Sequence, residues 1–308
     1  MKTTADAVII GGGIIGASTL YHLTQLGLKT PILLDKANFA SGSTGDSAAI
    51  VRQHYSNPVS IKLVLESLRI FQTLETERTS GPAIFQPTGW IFLCPDDAIS
   101  LFQDNLAQLI TLGVNTVQLS QNDVQEHLPG LNIEGVGAIA YEPDSGYANP
   151  QATTIALINK AIDFGATAYQ NTAATGIGLH GDRVVEVQTN KGDISTPVVI
   201  NAAGPWAQEI GSWVGLNLPL EISREQEVLI ELPTDVPIIR RAVSNMVDKF
   251  YIRPTDSGRM LMGVGHPKQN EPADPNNYDK GATPDFIDDV SMRLARRFPS
   301  MSESKIVK

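Results

Sequence analysis

The sequence predicts an α/β protein. A helix-flanked parallel sheet is joined to an inserted antiparallel-sheet region of α+β character. Three observations carry this expectation. The chain opens as strand, glycine turn, helix and second strand. Near residue 200 another apolar strand runs into a second glycine turn. Elsewhere short strands and hairpin turns replace the βαβ rhythm.

The opening is the most informative stretch. An apolar run from Ala7 to Ile10 meets Gly11, Gly13 and Gly16 in a G-x-G-x-x-G frame. A helical pattern follows through Ala17, Leu20, Leu23 and Leu26, and Gly27 stops it. Thr30 to Leu34 is apolar again and ends on Asp35. This is a Rossmann-like dinucleotide-binding arrangement, in which the glycines allow the turn, the approach to a pyrophosphate and the packing of helix on strand. The anion would sit at the helix N-terminus, where free N–H groups and the dipole favour negative charge. Asp35 stands roughly 20 residues on, where a carboxylate holds a ribose 2′-OH. A carboxylate there disfavours NADP and leaves FAD and NAD open.

Composition bounds the rest. The chain has 308 residues, enough for two domains. Apolar residues make up 42% and charged residues 18%, which fits a globular protein rather than a disordered one. The formal net charge of −10 argues against nucleic acid and anionic membrane as partners. The single cysteine, Cys94, forms no internal disulfide, and no Cys/His cluster has metal spacing, so no metal site is expected. A cytoplasmic location is the simplest expectation. The first apolar run is too glycine-rich for a signal sequence, and no stretch of about 20 apolar residues predicts a membrane span.

After Asp35, the stretch Ala40 to Ala49 is built of small and hydroxyl residues, suited to lie against a ligand. Arg52 emerges from it, and its planar fork matches a carboxylate. Asn57-Pro58, Ser120 to Asp123 and Asn149-Pro150 are helix starts. Core faces are expected at Ile61, Leu65 and Leu68, at Phe102, Leu106 and Leu109, and at Ile155, Ile158 and Ile162. Thr175 to Leu179, Val184 to Thr189 and Ile194 to Ile200 read as a meander. Its last strand runs into Asn201 to Trp206, where Gly204 marks a second backbone approach to the same ligand. Phe250 to Pro254 and Arg259 to Val264 form a hairpin, and His266 ends it. Boundaries are expected at 1–80 and 150–215 for a discontinuous cofactor-binding domain, and at 81–149 and 216–308 for a substrate domain.

Four pieces, in order along the chain, carry a family resemblance. They are Val8 to Ala17, Ser43 to Arg52, Asn201 to Trp206, and Tyr251-Ile252-Arg253-Pro254. Together they resemble the D-amino-acid oxidase superfamily, and within it sarcosine oxidases, glycine oxidases and dimethylglycine dehydrogenases. The resemblance implies FAD and an FAD/NAD(P)-binding Rossmann-like domain carrying an inserted antiparallel substrate domain. By position it implies that Gly11, Gly13, Ile14, Ile15 and Gly16 hold the pyrophosphate and Asp35 the adenosine ribose. Ser43 and Thr44 would approach the cofactor, and Ala174 would meet the adenine side. Arg52 would take a substrate carboxylate, with Tyr251 and His266 lining the substrate pocket.

The implied reaction is oxidation of the C–N bond of a small amine or amino acid, by hydride transfer to flavin and hydrolysis of the resulting imine. Oxygen or another acceptor would take the electrons. Two departures from the family pattern stand out. Asp46 replaces the arginine that many relatives carry. The family's C-terminal flavin-contacting segment, with its Thr-Pro-Asp-x-x-Pro-like motif, would lie past Lys308. This implies an alternative, a truncated, catalytically incompetent fragment that binds flavin or a partner. An NAD-linked dehydrogenase is the remaining alternative.

Overall fold

The computed structural model describes residues 1–265 and 270–307. Four short strands make a parallel sheet in the order Val199–Asn201, Val8–Ile10, Ile32–Leu34 and Thr167–Tyr169. Strand residues alternate between faces, and both faces here are covered. Ile9 and Leu33 point to one side, where helices Ile14–Gln25 and Pro150–Asp163 bury Leu20, Leu157 and Ile158. Val8, Ile10, Ile32 and Leu34 point to the other, against Val187 and Ile194. Those two belong to an antiparallel sheet of Ala174–His180, Arg183–Thr189 and Ile194–Ser195. Coverage on both faces explains the continuous apolar runs Val8 to Ile10 and Ile32 to Leu34.

Several local expectations change. The third meander strand divides at Pro197. Ile194–Ser195 stays in the meander, whereas Val199–Asn201 pairs with Val8–Ile10. Proline has no N–H for a ladder, so one strand cannot run through that point. On the first helix Leu26 is 84% exposed, and the buried positions are Gly16, Ala17, Leu20 and Thr24. Small residues let this helix close on the glycine turn. On Pro150–Asp163 the exposed positions include Ile155 and Ile162, whereas Thr153 and Thr154 are buried. Their hydroxyls donate to Asn149 O and Pro150 O, each at 2.8 Å, so burying them strands no polar group.

The caps form as read. Asn57 Oδ1 accepts from Val59 N at 2.8 Å, Asn149 Oδ1 accepts from Ala152 N at 3.0 Å, and Ser120 with Asp123 forms a capping box.

The second sheet has eight strands. Their order is Lys305–Ile306, Glu227–Glu231, Met260–Val264, Phe250–Pro254, Ala242–Asn245, Trp90–Pro95, Val136–Glu142 and Val117–Gln118. Every pairing is antiparallel except Ala242–Asn245 beside Trp90–Pro95. Helix Pro284–Arg297 buries Val290 and Leu294 on one face of this sheet. Helix Ile99–Thr111 packs Phe102 and Leu106 against Cys94, Ala138 and Ala140. A small sheet of Ile50–Val51, Gly146–Ala148 and Phe85–Gln86 lies between the two large ones and delivers Arg52. Among the described residues no helix is long and apolar enough to cross a membrane, and no group of three metal-binding side chains occurs.

Candidate cofactor and substrate site

The glycine turn is packed to its limit. Gly11 has φ +115°, and a methyl group added there would lie 2.3 Å from Ala202 O. One added at Gly16 would lie 1.8 Å from Gly11 O, so the helix meets the turn backbone to backbone. Gly13 is the N-cap of helix Ile14–Gln25, supplies no side-chain cap, and has no acid following it in the first turn. The N-terminal N–H groups therefore meet no fixed negative charge, which suits an incoming anion. Ile15, on this first turn, is 67% exposed. Ile14 N–H is engaged, donating to Thr44 Oγ1 at 3.1 Å. That bond draws the Ser43-Thr44 loop onto the turn. A methyl group at Gly13 would stand 2.9 Å from the same hydroxyl oxygen.

Asp35 ends its strand beside this turn. Its carboxylate accepts from Gly12 N and Ala37 N, each at 2.7 Å. Carboxylate oxygens have about four acceptor sites in all, so capacity for a ribose hydroxyl remains. Thr172 N donates to Asp35 O at 2.8 Å, which brings Ala174, the first residue of Ala174–His180, to the same end of the sheet. The Asn201 to Trp206 segment closes the other side. The close approach to Gly11 is made by Ala202 and Ala203, whereas Gly204, at φ +54°, has open space around it. Trp206 lies under Lys36, whose Nζ is 3.7 Å from the ring centroid, and donates Nε1–H to Asn276 Oδ1 at 2.8 Å.

Two cavities adjoin this cradle. One, of about 770 Å³ and of mixed polar and apolar lining, lies between Trp206, the loop residues Ser41, Ser43, Asp46 and Ala48, and the segments 222–227 and 273–282. The second, of about 730 Å³ and mostly apolar, is lined by Arg52, His54, Trp90, Phe92 and Phe102. They share Ala48 and Tyr251. The structure thus brings Arg52 and Tyr251 to one cavity. His266 lies outside the described residues.

Arg52 donates from Nη1 to His54 O at 2.5 Å and stacks on Tyr55, with Cζ 4.3 Å from the ring centroid. Tyr251 donates its hydroxyl to Glu227 Oε1 at 2.6 Å. Burial, then the Glu227 charge and hydrogen bond, push its phenol well above the usual tyrosine range. It stays neutral and directs its proton to Glu227, leaving oxygen lone pairs as acceptors. Gly263, opposite Tyr251 in the sheet register, has no side chain to obstruct that hydroxyl. Arg253, also in the Tyr-Ile-Arg-Pro piece, donates to Ala48 O and fastens the small-residue loop to the large sheet.

Two residues escaped the reading of the sequence. His54 Nδ1 and the buried Glu142 Oε1 lie 3.7 Å apart. Glu142 Oε2 accepts from Gln53 N at 2.8 Å and Ser145 Oγ at 2.7 Å. His54 follows Arg52 by two residues, and in extended backbone that spacing places both side chains on one side. That periodicity was the available signal. Glu142 is remote in sequence and offered none.

The geometry fits an extended dinucleotide. Side-chain-free backbone lies at the turn, the helix N-terminus there has no acid in its first turn, a carboxylate stands at the second strand, and a cavity of mixed polarity continues along the small-residue loop. A family model described as FAD dependent oxidoreductase, DAO, matches residues 6–308. Human mitochondrial dimethylglycine dehydrogenase is 27% identical over 288 residues, covering 92% of this chain and 33% of the relative. The chain therefore spans about a third of that relative's length. The crystal structure of L-proline dehydrogenase from P. horikoshii superposes with a TM-score of 0.90 at 26% identity, covering 100% of this chain and 80% of that one. Glycine oxidase from Geobacillus kaustophilus shares the fold, with a TM-score of 0.81 at 23% identity, covering 100% and 81% of the two chains. The chain belongs to the DAO family of FAD-dependent oxidoreductases, and its cofactor is FAD.

Proposed function

We propose that the chain oxidises the C–N bond of an amino acid or N-methylated amino acid. The observation that carries this reading is the junction at Ala48 and Tyr251. There a cavity of mixed polarity bordered by the small-residue loop meets a mostly apolar cavity containing Arg52. In this reading segments 1–80 and 150–215 hold FAD, and 81–149 with 216–308 supply most of the substrate wall. Gly11, Gly13, Ile15 and Gly16 flank the pyrophosphate, with Ile14 held by Thr44. Asp35 and Ala174 take the adenosine end, and Ser43 and Gly204 border the path beyond it. Bound FAD supplies the hydride-accepting chemistry.

The protein's own groups bind and orient. The Arg52 fork pairs with the substrate carboxylate, and stacking on Tyr55 limits its freedom. Tyr251, its proton committed to Glu227, accepts a hydrogen bond from the substrate amine. The mostly apolar walls thin the water around both contacts and so strengthen them. Names of relatives offer dimethylglycine and L-proline as first substrates to try, with sarcosine and glycine beside them.

The test is anaerobic bleaching of the FAD-loaded chain by these amino acids. Arg52→Ala should weaken carboxylate substrates by roughly 100-fold in kcat/KM, as expected for a charge-assisted pair worth about 2–3 kcal/mol. Bleaching that is equally fast in the variant would overturn the role given to Arg52. No bleaching by any primary, secondary or tertiary amino acid would overturn the reaction.

A further inference from the structure

The apolar cavity contains more than a carboxylate anchor. Behind Arg52 stands a cluster of rings in near-parallel planes. His54 lies on Phe92 with centroids 4.4 Å apart and planes 23° apart. Trp90 lies 5.6 Å from Phe92 at 30°, and Phe102 lies 6.5 Å from Phe92 at 5°. The imidazole edge bearing Nδ1 is buried and lies 3.7 Å from Glu142 Oε1. Arg52 Cζ is 5.8 Å from the Trp90 centroid, which places the cationic fork beside the same wall. Leu101 and Met246, 74% and 39% exposed, also line the cavity.

Size points the same way. About 730 Å³ falls in the range of pockets that hold drug-sized ligands, roughly 300–1,000 Å³. Trp90, Phe102 and His54 are buried and Phe92 is half-buried, so a glycine-sized substrate on Arg52 would leave Phe92 and the apolar space before it uncovered. The cavity beside the small-residue loop does not include Phe92, so this half-buried ring borders the Arg52 cavity alone.

We propose that the substrate is an amino acid or N-substituted amino acid carrying a flat, apolar group of aromatic size, packed against Phe92 while its carboxylate sits on Arg52. This rests on the reading above that Arg52 binds a carboxylate. Phe92 is then the specificity-determining residue, held in place by the buried Trp90 and Phe102 packed beside it. Discrimination comes from ring area removed from water and from offset stacking.

The test is calorimetric titration of the FAD-saturated chain with acetate, cyclohexylacetate and phenylacetate, which carry a carboxylate and no oxidisable amine. Phenylacetate should bind roughly 10- to 100-fold more tightly than acetate. Phe92→Ala should shrink that ratio at least about fivefold, and Phe92→Leu should narrow the margin of phenylacetate over cyclohexylacetate. Retained FAD binding shows that each variant is folded. Equal affinity for acetate and phenylacetate, no binding of either, or a ratio unchanged in both variants overturns the proposal. Oxidation is read separately by anaerobic bleaching with sarcosine and N-methylphenylalanine. Bleaching by sarcosine with no aromatic preference sinks the inference and leaves the reaction standing. Aromatic preference with no bleaching does the reverse.

Discussion

Adding one methyl group at Gly16 tests the glycine cradle most directly. An alanine there would place its Cβ 1.8 Å from Gly11 O, where ordinary contact begins near 3.4 Å. Both atoms are tied to backbone, one in the helix and one in the turn, so no side-chain rotation relieves the overlap. The helix and the turn must separate by about 1.6 Å, close to one bond length. This also loosens Ala17 and Leu20, both fully buried. Overpacking of this severity costs about 3 kcal/mol or more. At roughly 2–4 °C per kcal/mol, the melting temperature should fall by about 6–12 °C. Gly13→Ala is the contrast. Gly13 has φ −79°, open to any residue, and its methyl group would meet only the rotatable Thr44 hydroxyl at 2.9 Å. The fold should lose about 1 kcal/mol, the value of the Ile14–Thr44 hydrogen bond. FAD affinity should still fall tenfold or more, since the methyl group intrudes where a pyrophosphate must approach. Thermal melts by circular dichroism and FAD titrations by flavin fluorescence separate the two effects. A Gly16→Ala protein melting within about 2 °C of the parent would refute the packing claim. Unchanged FAD affinity in Gly13→Ala would refute the assignment of the cradle.

Two further outcomes follow from buried charge and burial. Arg297 is fully buried, pairs with Asp248 through Nε at 2.6 Å and Nη2 at 2.5 Å, and also donates to Asn132 O and Glu134 O. Arg297→Leu removes the buried partner of Asp248, which keeps the exposed Arg296 at 3.5 Å and the Asn245 amide, and should cost about 3 kcal/mol in urea unfolding. The double change with Asp248→Leu should recover part of that loss, and a loss equal to the single variant's would contradict the pairing. Tyr147 is pushed up to about 12, first by burial and then by its hydrogen bond to Asp256, and Tyr251 is raised further. A phenol whose folded pKa exceeds its unfolded value keeps its proton longer in the folded state. Stability is therefore unaffected below about pH 10, and falls as pH rises beyond it. Ultraviolet titration should show these two tyrosines ionising only above the exposed ones, and two ordinary titrations would contradict their burial.

Much of the cofactor cradle was legible because it is local. Gly11, Gly13, Gly16 and Asp35 lie within one strand–helix–strand unit, and their spacing reports backbone demands that only those residues meet. The capping residues Asn57, Ser120 and Asn149 were legible for the same reason, since each bonds N–H groups two or three residues ahead. The hairpin around Asp256 to Gly258 was likewise set by its turn.

The substrate side was not legible in this way. Ala242–Asn245 is short and compositionally mixed, and becomes a strand because Phe250–Pro254 and Trp90–Pro95 supply partners on its two edges. Glu142 meets His54 across 88 residues of chain. Phe102, read as helix core, borders a cavity because helix Ile99–Thr111 closes over the strand from which Trp90 and Phe92 project. Sequence by itself determined the α/β class, the glycine turn with its carboxylate, and Arg52 as the candidate anchor, because these depend on neighbouring residues. Tertiary structure alone decided which strand Val199–Asn201 pairs with, which groups surround Arg52, and how large its cavity is. Those features are long-range contacts, and no local periodicity encodes them.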